Sequence, residues 1–321
     1  MHSFEELSAA FATRFSQQHF PIHPASLYDP ADYFLGIGGK RIRPILCLMG
    51  NELFGEIDPD AWLLATAIEL FHNFTLIHDD IMDKAPLRRG MQTVHEKYGS
   101  STALLTGDVM MVVAYDYISR IQSPQLRSIL QLYNDTAKKV CEGQQLDMDF
   151  ETAEKVSLEE YLLMIELKTS VLLAASLQIG SILGGASLGN QQHLYNFGKN
   201  LGLAFQVQDD YLDCFGDPQK FGKQVGGDIV AGKKTFLLIR AMETATSAQH
   251  RQMKELALEE PSVKVAGMLD LFRECGLDSW AMELKDKYMQ TAYEHLEEIA
   301  VLARRKAPLR ALAEYLVQRE Y

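Results

Sequence analysis

The chain has 321 residues, and its 47% hydrophobic and 23% charged content is that of a folded protein rather than a disordered one. Its 31 Lys and Arg against 43 Asp and Glu give a net charge of −12, which argues against a nucleic-acid partner. The four cysteines lie far apart without a CxxC pair, so we expect no disulfide framework, no zinc site and a cytoplasmic location.

Helical periodicity dominates the chain, and Gly and Pro mark the breaks between helices. No long linker or low-complexity tract interrupts it, so we predict a single all-α domain over residues 1–321. The stretch 169–198 has no Asp, Glu, Lys or Arg, but glycines and serines interrupt it, and we interpret it as a buried helix pair rather than a membrane span. The predicted helices cover residues 4–18, 40–54, 59–82, 101–121, 124–146, 158–186, 191–215, 233–244, 248–258, 261–275 and 278–302.

Two acidic motifs of the form DDxxD, at 79–83 and 209–213, lie near the C-terminal ends of two apolar predicted helices. Residues four apart share one helix face, about 40° from each other, so the first and last aspartates of each motif project together. Like charges at this spacing repel, and the helix dipole disfavours anions at this end, so a cation is needed to compensate.

One such motif alone is as often a solvated acidic face, but two of them favour a metal site. Mg2+ fits best, because it is usually held by a few carboxylates together with substrate phosphates. Two facing clusters bridged by several Mg2+ ions would bind a diphosphate. The candidate ligands are Asp79, Asp80 and Asp83, and then Asp209, Asp210 and Asp213.

The basic residues cluster beside these acidic motifs. Any one of them is more often a surface charge, but together they indicate two diphosphate groups, one bound through metals and one by Lys and Arg directly. Lys40 and Arg43 open a predicted helix after a glycine turn, where free N–H groups and cations can hold an anion. The candidates are Lys40 and Arg43, Arg88 and Arg89, and Lys223 with the run 227–235.

Two further polar residues align with the acidic motifs. His72 lies seven residues before Asp79, about 20° round the helix from it, and can therefore reach the same pocket. Gln206 is aligned in a similar way with Asp209 and Asp213. For His72 alone, a core histidine with satisfied hydrogen bonds is the default interpretation.

With these motifs the sequence resembles the trans-polyprenyl diphosphate synthases, the family of farnesyl and geranylgeranyl diphosphate synthases and their longer-chain relatives. The matching motifs occur in the family's order over most of the chain. They are GGKRIRP at 38–44, LIHDDIMDKAPLRRG at 76–90, GQQLD at 143–147, KTS at 168–170, FQVQDDYLD at 205–213 and GKQVGGDIVAGKKT at 222–235.

The resemblance implies the class I isoprenoid-synthase fold, a single all-α helical bundle around a deep central cavity, and a homodimer. It implies an enzyme that joins isopentenyl diphosphate to allylic diphosphates (dimethylallyl, geranyl or farnesyl) with Mg2+, three ions when substrate is bound. It assigns metal binding to both aspartate motifs. Allylic diphosphate binding is assigned to Arg88, Lys168, Lys223 and Lys233, and isopentenyl diphosphate binding to Lys40, Arg43, His72 and Arg89. Contact near the reacting carbons is assigned to Thr169 and Gln206.

Product length depends, in this family, on the residues four and five before the first aspartate, here Thr75 and Phe74. An aromatic residue only at the farther position resembles the archaeal-type geranylgeranyl synthases. We therefore expect Phe74 to act as the floor of the cavity and geranylgeranyl diphosphate to be the product, with farnesyl diphosphate as the alternative.

Three other functions share part of this pattern. A terpene cyclase has the same fold but usually lacks the second DDxxD and the cations for a second diphosphate. A metal-dependent phosphohydrolase could use the pair His78-Asp79 but needs further metal-binding histidines, and no histidine pairs with Asp209. A non-catalytic partner subunit would have lost acidic residues that are intact in both motifs here.

Overall fold

The computed structural model describes residues 1–216 and 225–317, and it is 78% helical, which confirms the all-α prediction. Among the described residues, the strands are confined to one short hairpin, β1 (Leu87–Arg88) and β2 (Met91–Gln92). A π-helical turn, Glu166–Ser170, lies between two of the helices. In chain order the α-helices of this described part of the chain are α1 (Phe4–Phe15), α2 (Ala25–Gly36), α3 (Ile42–Glu52), α4 (Pro59–Met82), α5 (Val94–Tyr98), α6 (Ser100–Ser119), α7 (Leu126–Thr152), α8 (Leu158–Ile165), α9 (Val171–Leu183), α10 (Leu188–Phe215), α11 (Gly227–Ala231), α12 (Phe236–Thr244), α13 (Ser247–Leu256), α14 (Pro261–Glu274), α15 (Leu277–Glu298) and α16 (Ala303–Val317).

The helix α4 has the bounds that its sequence predicts. Asp58 caps its first turn by accepting a hydrogen bond from the backbone N–H of Asp60 at 2.8 Å, and Pro59 occupies a position where its missing N–H costs nothing. At the other end, the N–H of Asp83 donates to the carbonyl of Asp79 at 2.8 Å. The acidic motif therefore stands on the last turn of α4, as predicted.

Two helices of ordinary length, α2 and α16, were not among the predicted elements. Each contains an internal proline, Pro30 in α2 and Pro308 in α16. An internal proline removes a backbone donor and is typical of a helix break, which is why the sequence pattern did not indicate these two helices.

Internal contacts divide the described residues into two compact units. Unit 1 comprises Met1–Asn134, Ala175–Leu194 and Val301–Pro308, and unit 2 comprises the described residues of Asp135–Ala174, Tyr195–Ala300 and Leu309–Tyr321. The single domain expected from the sequence stays a prediction.

Within unit 1, glycines let α3 and α9 approach closely. A Cβ atom added at Gly180 would overlap the carbonyl oxygen of Cys47, and one added at Gly50 would overlap the carbonyl oxygen of Leu177. Asn51 bridges the same two helices by donating from Nδ2 to the Gly180 carbonyl at 3.2 Å. The small residues of the uncharged stretch are thus used for helix packing.

The continuous helical stretch Leu158–Leu183 is long and apolar enough to cross a membrane, and 61% of the apolar window is buried within the structure.

Within unit 2, a hydrophobic core forms between α8, α10, α12, α14 and α15. The rings of Phe236 and Phe272 are almost completely buried there, and Val207 of α10 lies in the same cluster. Burial of each such side chain stabilises the fold by about 1.5–3 kcal/mol. This core holds α8 against the part of α10 that carries the second acidic motif.

Candidate active site

The first acidic motif, in unit 1, is divided by its own helix geometry. Asp80 is 1% exposed, whereas Asp79 is partly buried and Asp83 is exposed at the end of α4. The outer aspartates can therefore meet a ligand at the helix end, and the middle one is turned into the protein.

Arg88 on β1 supplies the cation that the first acidic motif needs. Its Nε donates to both carboxylate oxygens of Asp80, at 2.9 and 3.0 Å, and its Nη2 donates to Asp79 Oδ2 at 3.2 Å. Burial raises the pKa of Asp80 above its ordinary value, and the hydrogen bond and charge of Arg88 act against that rise. The predicted allylic diphosphate ligand is thus an ion-pair partner of the first motif.

The adjacent Arg89 is directed elsewhere by the turn between the two strands. Leu87 pairs with Gln92 and Arg88 with Met91, so Arg89 and Gly90 form the two-residue connection. Both have positive φ, +52° and +77°, the pattern of a type I′ turn. The Arg89 guanidinium packs against Gly39, where an added Cβ would lie only 2.7 Å from Nη1.

Three of the four residues predicted to bind the second diphosphate come together in unit 1. Arg43 Nη1 lies 3.0 Å from His72 Nε2, and since arginine can only donate, this nitrogen of His72 accepts. Burial lowers the pKa of His72 well below its ordinary value, and Arg43, Arg89, Arg88 and Arg41 lower it further. His72 is therefore neutral, and the guanidinium groups around it form a positive cluster.

The arginines of this cluster lower one another's pKa, and the charge of Glu69 acts against this effect. Burial lowers the pKa of Arg43 to about 10. The charge of Glu69 opposes this lowering of the pKa, and the charge of Arg89 adds to it. Burial and the charges of Arg88 and Arg41 also lower the pKa of Arg89. The Nε of Arg43 is buried with no hydrogen-bond partner among the described residues. Such a group favours a bound anion, and an oxyanion such as a diphosphate would satisfy it.

Arg41 and Lys40, the other two cations of the GKRIR segment, are placed differently. Arg41 has φ of +50°, forms an ion pair with the buried Glu69 and donates from Nη2 to the Leu35 carbonyl at 2.9 Å. Asn73 completes this network by donating to Glu69 Oε1 at 2.7 Å. Arg41 thus fixes the segment before α3, while Lys40 is exposed on it.

The second acidic motif, in unit 2, is divided in the same way as the first. Asp210 is 6% exposed, and its carboxylate accepts hydrogen bonds from the hydroxyl of Tyr161 and, at 2.9 Å, from Nε2 of Gln206. Burial raises the pKa of Asp210 to about 7, with these two hydrogen bonds opposing the rise. Asp209 and Asp213 are only partly buried, and Asp213 Oδ2 accepts from the N–H of Asp228 at 3.1 Å.

Lys168 and Thr169 lie in the π-helical turn of unit 2. Lys168 Nζ donates to Asp147 Oδ2 on α7 at 2.6 Å. Two glycines pack closely against this turn. A Cβ added at Gly143 on α7 would overlap the Lys168 backbone nitrogen, and one added at Gly202 on α10 would lie 2.7 Å from Ser170 Cα. A π-turn is often found at a functional site, because it re-aims side chains within a helix.

The remaining predicted cations lie after the second acidic motif. Lys233 is exposed, whereas its neighbour Lys234 donates to the carbonyls of Phe150 and Glu151 at 2.8 and 3.1 Å. Lys234 therefore binds the end of α7. Lys223 lies outside the described residues.

The two residues predicted to set product length differ in their surroundings. Phe74 is buried, and its ring lies 5.5 Å from that of Phe71 and 4.9 Å from that of His78. Thr75 is partly buried, and its hydroxyl donates to the His72 carbonyl at 2.8 Å. Phe74 is thus part of an aromatic cluster, and the role of both residues in product length stays a prediction.

Among residues 1–216 and 225–317, no group of three or more His, Cys, Asp or Glu is arranged to hold a metal ion without other ligands. The donor set nevertheless fits Mg2+, since the outer carboxylates of each motif are more exposed than the middle one, although Asp79 also binds Arg88 and Asp213 also accepts from the N–H of Asp228. Mg2+ commonly takes a few carboxylates and completes its shell with water and substrate phosphates.

Sequence reasoning missed three residues at these sites: Tyr161, Asp147 and Asp228. Asp147 ends the GQQLD motif and Asp228 lies in the GGDIVAG motif, so both stood in matched segments without a role. Tyr161 lies seven residues before Lys168, two helical turns away, and this spacing is the signal that could have indicated it.

Comparison with known proteins places these features in one family. The polyprenyl synthetase family matches residues 24–271. A geranylgeranyl diphosphate synthase of Methanosarcina mazei is 38% identical over 300 residues, which cover 93% of this chain and 91% of that protein. A crystal structure of a geranylgeranyl pyrophosphate synthase superposes with a TM-score of 0.93 and 41% identity over 100% of both chains. Another, from Corynebacterium glutamicum in complex with isoprenyl diphosphate and magnesium, superposes with a TM-score of 0.87 and 27% identity over 98% of each chain.

Proposed function

Because the chain belongs to the polyprenyl synthetase family and is a prenyltransferase, we propose that it condenses isopentenyl diphosphate with allylic diphosphates to make geranylgeranyl diphosphate. The observation that carries the proposal lies within unit 1. There an acidic motif with two outward carboxylates occurs beside a separate cationic cluster of Arg43 and Arg89 around a neutral His72. This is the arrangement that two diphosphates bound in different ways require.

The reaction breaks the C–O bond of the allylic diphosphate and forms a C–C bond to isopentenyl diphosphate. Lys168, Arg88 and Lys233 would bind the leaving diphosphate, and charge neutralisation by such groups lowers the barrier to its departure. Arg43, Arg89 and Lys40 would hold isopentenyl diphosphate. We propose that the proton then lost from the new chain passes to the departing diphosphate.

Mg2+ would supply the remaining charge neutralisation on the allylic diphosphate oxygens. The outer aspartates Asp79, Asp83, Asp209 and Asp213 are the residues that would hold it, and we propose three ions with substrate bound. Solved relatives support the metal itself, since the Corynebacterium glutamicum structure contains magnesium with isoprenyl diphosphate.

Incubation of the purified protein with labelled isopentenyl diphosphate and each allylic starter in turn tests the proposal. We expect a twenty-carbon product by chromatography, and its loss when a chelator removes Mg2+. A fifteen-carbon product as the longest species would support the farnesyl alternative. Absence of any condensation product, with release of free diphosphate or a cyclic hydrocarbon instead, would contradict prenyl transfer.

Substitution of Gly39 by Ala should weaken binding of isopentenyl diphosphate. The new Cβ would lie 2.7 Å from Arg89 Nη1 and displace this guanidinium. Loss of a charge-assisted hydrogen bond costs about 1.5–3 kcal/mol, so KM for isopentenyl diphosphate should rise about 10- to 100-fold, while KM for the allylic substrate changes little. Steady-state kinetics with each substrate varied in turn measures this.

The matched control is Gly38→Ala. Gly38 also has a positive φ, +83°, but an added Cβ would meet nothing within 4 Å. It carries the backbone strain without the clash. Equal effects of the two substitutions on KM would show that strain, and not the displacement of Arg89, causes the change.

Substitution of Thr75 by Phe should shorten the product toward farnesyl diphosphate. Thr75 lies nearer than Phe74 to the face of α4 that carries Asp79 and Asp83, so a ring at this position would obstruct a tail growing beside the helix. Chromatography of the products measures the shift.

The companion variant Phe74→Ala is predicted to lengthen the product, although loss of its contacts with Phe71 and His78 also costs about 3–5 kcal/mol of stability. Unchanged product length in both variants would remove these residues from the control of chain length.

A homodimer is the assembly that we propose for the enzyme. Three large apolar side chains of α6, those of Leu104, Leu105 and Val112, are between 51% and 57% exposed, and such a surface supports an interface. Size-exclusion chromatography with light scattering should give the mass of two chains, and a monomer at micromolar concentration would contradict the proposal.

We also propose a cytoplasmic location. Support comes from the four cysteines, Cys47, Cys141, Cys214 and Cys275, which are all free thiols. Fractionation of cells that express the protein tests this, and recovery in an oxidising compartment would contradict it.

A further inference from the structure

A buried tyrosine, Tyr161 on α8, is linked to the second acidic motif through its hydroxyl. Tyr161 is 6% exposed, and its hydroxyl donates to Asp210 Oδ2. Its ring packs in the core of unit 2, with its centroid 6.4 Å from that of Phe236. A ring held by a packed core has little freedom, so the position of its hydroxyl is fixed.

Both oxygens of the Asp210 carboxylate are used by protein donors. Oδ2 accepts from Tyr161, and Oδ1 accepts from Nε2 of Gln206 at 2.9 Å, one turn earlier on α10. The carboxylate is therefore the connection between a tyrosine that no motif contains and a glutamine assigned to the neighbourhood of the reacting carbons.

The hydrogen bond to Asp210 determines which end of the Gln206 amide meets the carboxylate. A carboxylate oxygen can only accept from a neutral amide, so Gln206 must offer its NH2 group to it. Its carbonyl oxygen, the negative end of the amide dipole, then lies on the other side of the group. A reaction that develops positive charge on the allylic carbons is favoured by a negative dipole end and disfavoured by an NH2 group in the same place.

We propose that Tyr161 is a positioning residue: its hydroxyl fixes the Asp210 carboxylate, which in turn holds the Gln206 amide with its carbonyl oxygen toward the developing positive charge of the allylic substrate. The inference rests on the proposed prenyl transfer and deepens it by naming how one polar group near the reacting carbons is oriented. Without the hydroxyl, the carboxylate can rotate and the amide can turn over.

Substitution of Tyr161 by Phe keeps the packed ring and removes the hydroxyl. We expect kcat to fall about tenfold while KM for both substrates and the Mg2+ concentration for half-maximal rate stay within about twofold, because binding groups are untouched and only the transition state loses stabilisation. A helix-packing role alone would lower the melting temperature without this split between kcat and KM.

The matched control is Tyr133→Phe. Tyr133 is also buried, at 3% exposure, and its hydroxyl has no hydrogen-bond partner among the described residues. This substitution should leave kcat unchanged. A comparable loss in the control would attribute the effect of Tyr161→Phe to general packing.

A double-mutant cycle tests the route through Gln206. If Tyr161 acts through this amide, Tyr161→Phe should add no further loss of kcat to that of Gln206→Leu. Losses that multiply, or an unchanged kcat in Tyr161→Phe, would overturn the proposal.

A spectroscopic readout separates this inference from the proposed function. The 15N–1H resonances of the Gln206 side-chain amide, assigned by their loss in Gln206→Leu, should shift in Tyr161→Phe and stay in place in Tyr133→Phe. This measurement needs no turnover. Unshifted Gln206 resonances would therefore contradict the positioning role even in an active enzyme, and absence of condensation by the wild-type protein would contradict the function alone. If Tyr161→Phe does not fold, Asp210→Asn serves instead, because an amide at 210 can accept from only one of the two donors, and an unshifted Gln206 resonance there overturns the proposal.

Discussion

Replacement of Asp79 by Asn should lower kcat by about 100- to 1,000-fold or more at saturating Mg2+, and so should replacement of Asp209 by Asn. Both are outer, partly buried aspartates, and both are assigned to hold the metal that neutralises the leaving diphosphate. Loss of one electrostatic stabiliser aimed at a developing charge typically costs this much. Steady-state assays over a range of Mg2+ concentrations measure it.

Folding of these two variants should be almost unaffected. Each substitution removes a negative charge near the C-terminal part of a helix, where the dipole and the neighbouring carboxylates disfavour it. Asp79→Asn also loses one ion pair with Arg88, and a partly exposed pair of this kind contributes about 0–1 kcal/mol. An exposed residue on α6 offers the same chemical change as a control, Asp116→Asn, which should leave kcat unaltered. Near-normal condensation by either active-site variant would refute the assignment of these residues to the metal.

Replacement of Gly143 by Ala should lower both the melting temperature and kcat. The new Cβ would overlap the backbone of Lys168 in the π-helical turn, and backbone cannot be moved aside as a flexible side chain can. Overpacking of this kind costs about 1–3 kcal/mol of stability. Displacement of Lys168 and Thr169 by about 1 Å would cost about 100-fold in rate. Thermal unfolding and steady-state kinetics on the same preparation measure the two effects.

Gly189→Ala is the matched control for this prediction. Gly189 is also helical, in the first turn of α10, but an added Cβ meets nothing within 4 Å, and Ala loses less backbone entropy on folding than Gly. This variant should be active and slightly more stable. If Gly143→Ala behaved in the same way, the π-helical turn would have no role in placing Lys168 and Thr169.

The sequence alone determined the helix α4 and the two acidic motifs. A strong apolar period, a capping Asp58 and Pro59 at the first turn are local signals, so the bounds of α4 agree with prediction. The spacing of aspartates four apart is likewise local, since it depends only on the helix pitch. Motif order was sufficient to identify the family, because it needs no knowledge of which residues touch.

Only the tertiary structure decided which aspartate of each motif is buried. The three aspartates of a DDxxD are equivalent carboxylates in the sequence, yet Asp80 and Asp210 are buried and bound by Arg88 and by Tyr161 with Gln206. Arg88 and Arg89 are neighbours, but a turn with two positive φ angles directs one to the acidic motif and the other to Gly39. Local patterns cannot contain these assignments, because burial and partner choice depend on side chains far away in the chain. Arg41 is an example, since its function follows from Glu69, 28 residues later, and from the energetic need of a buried carboxylate for a partner.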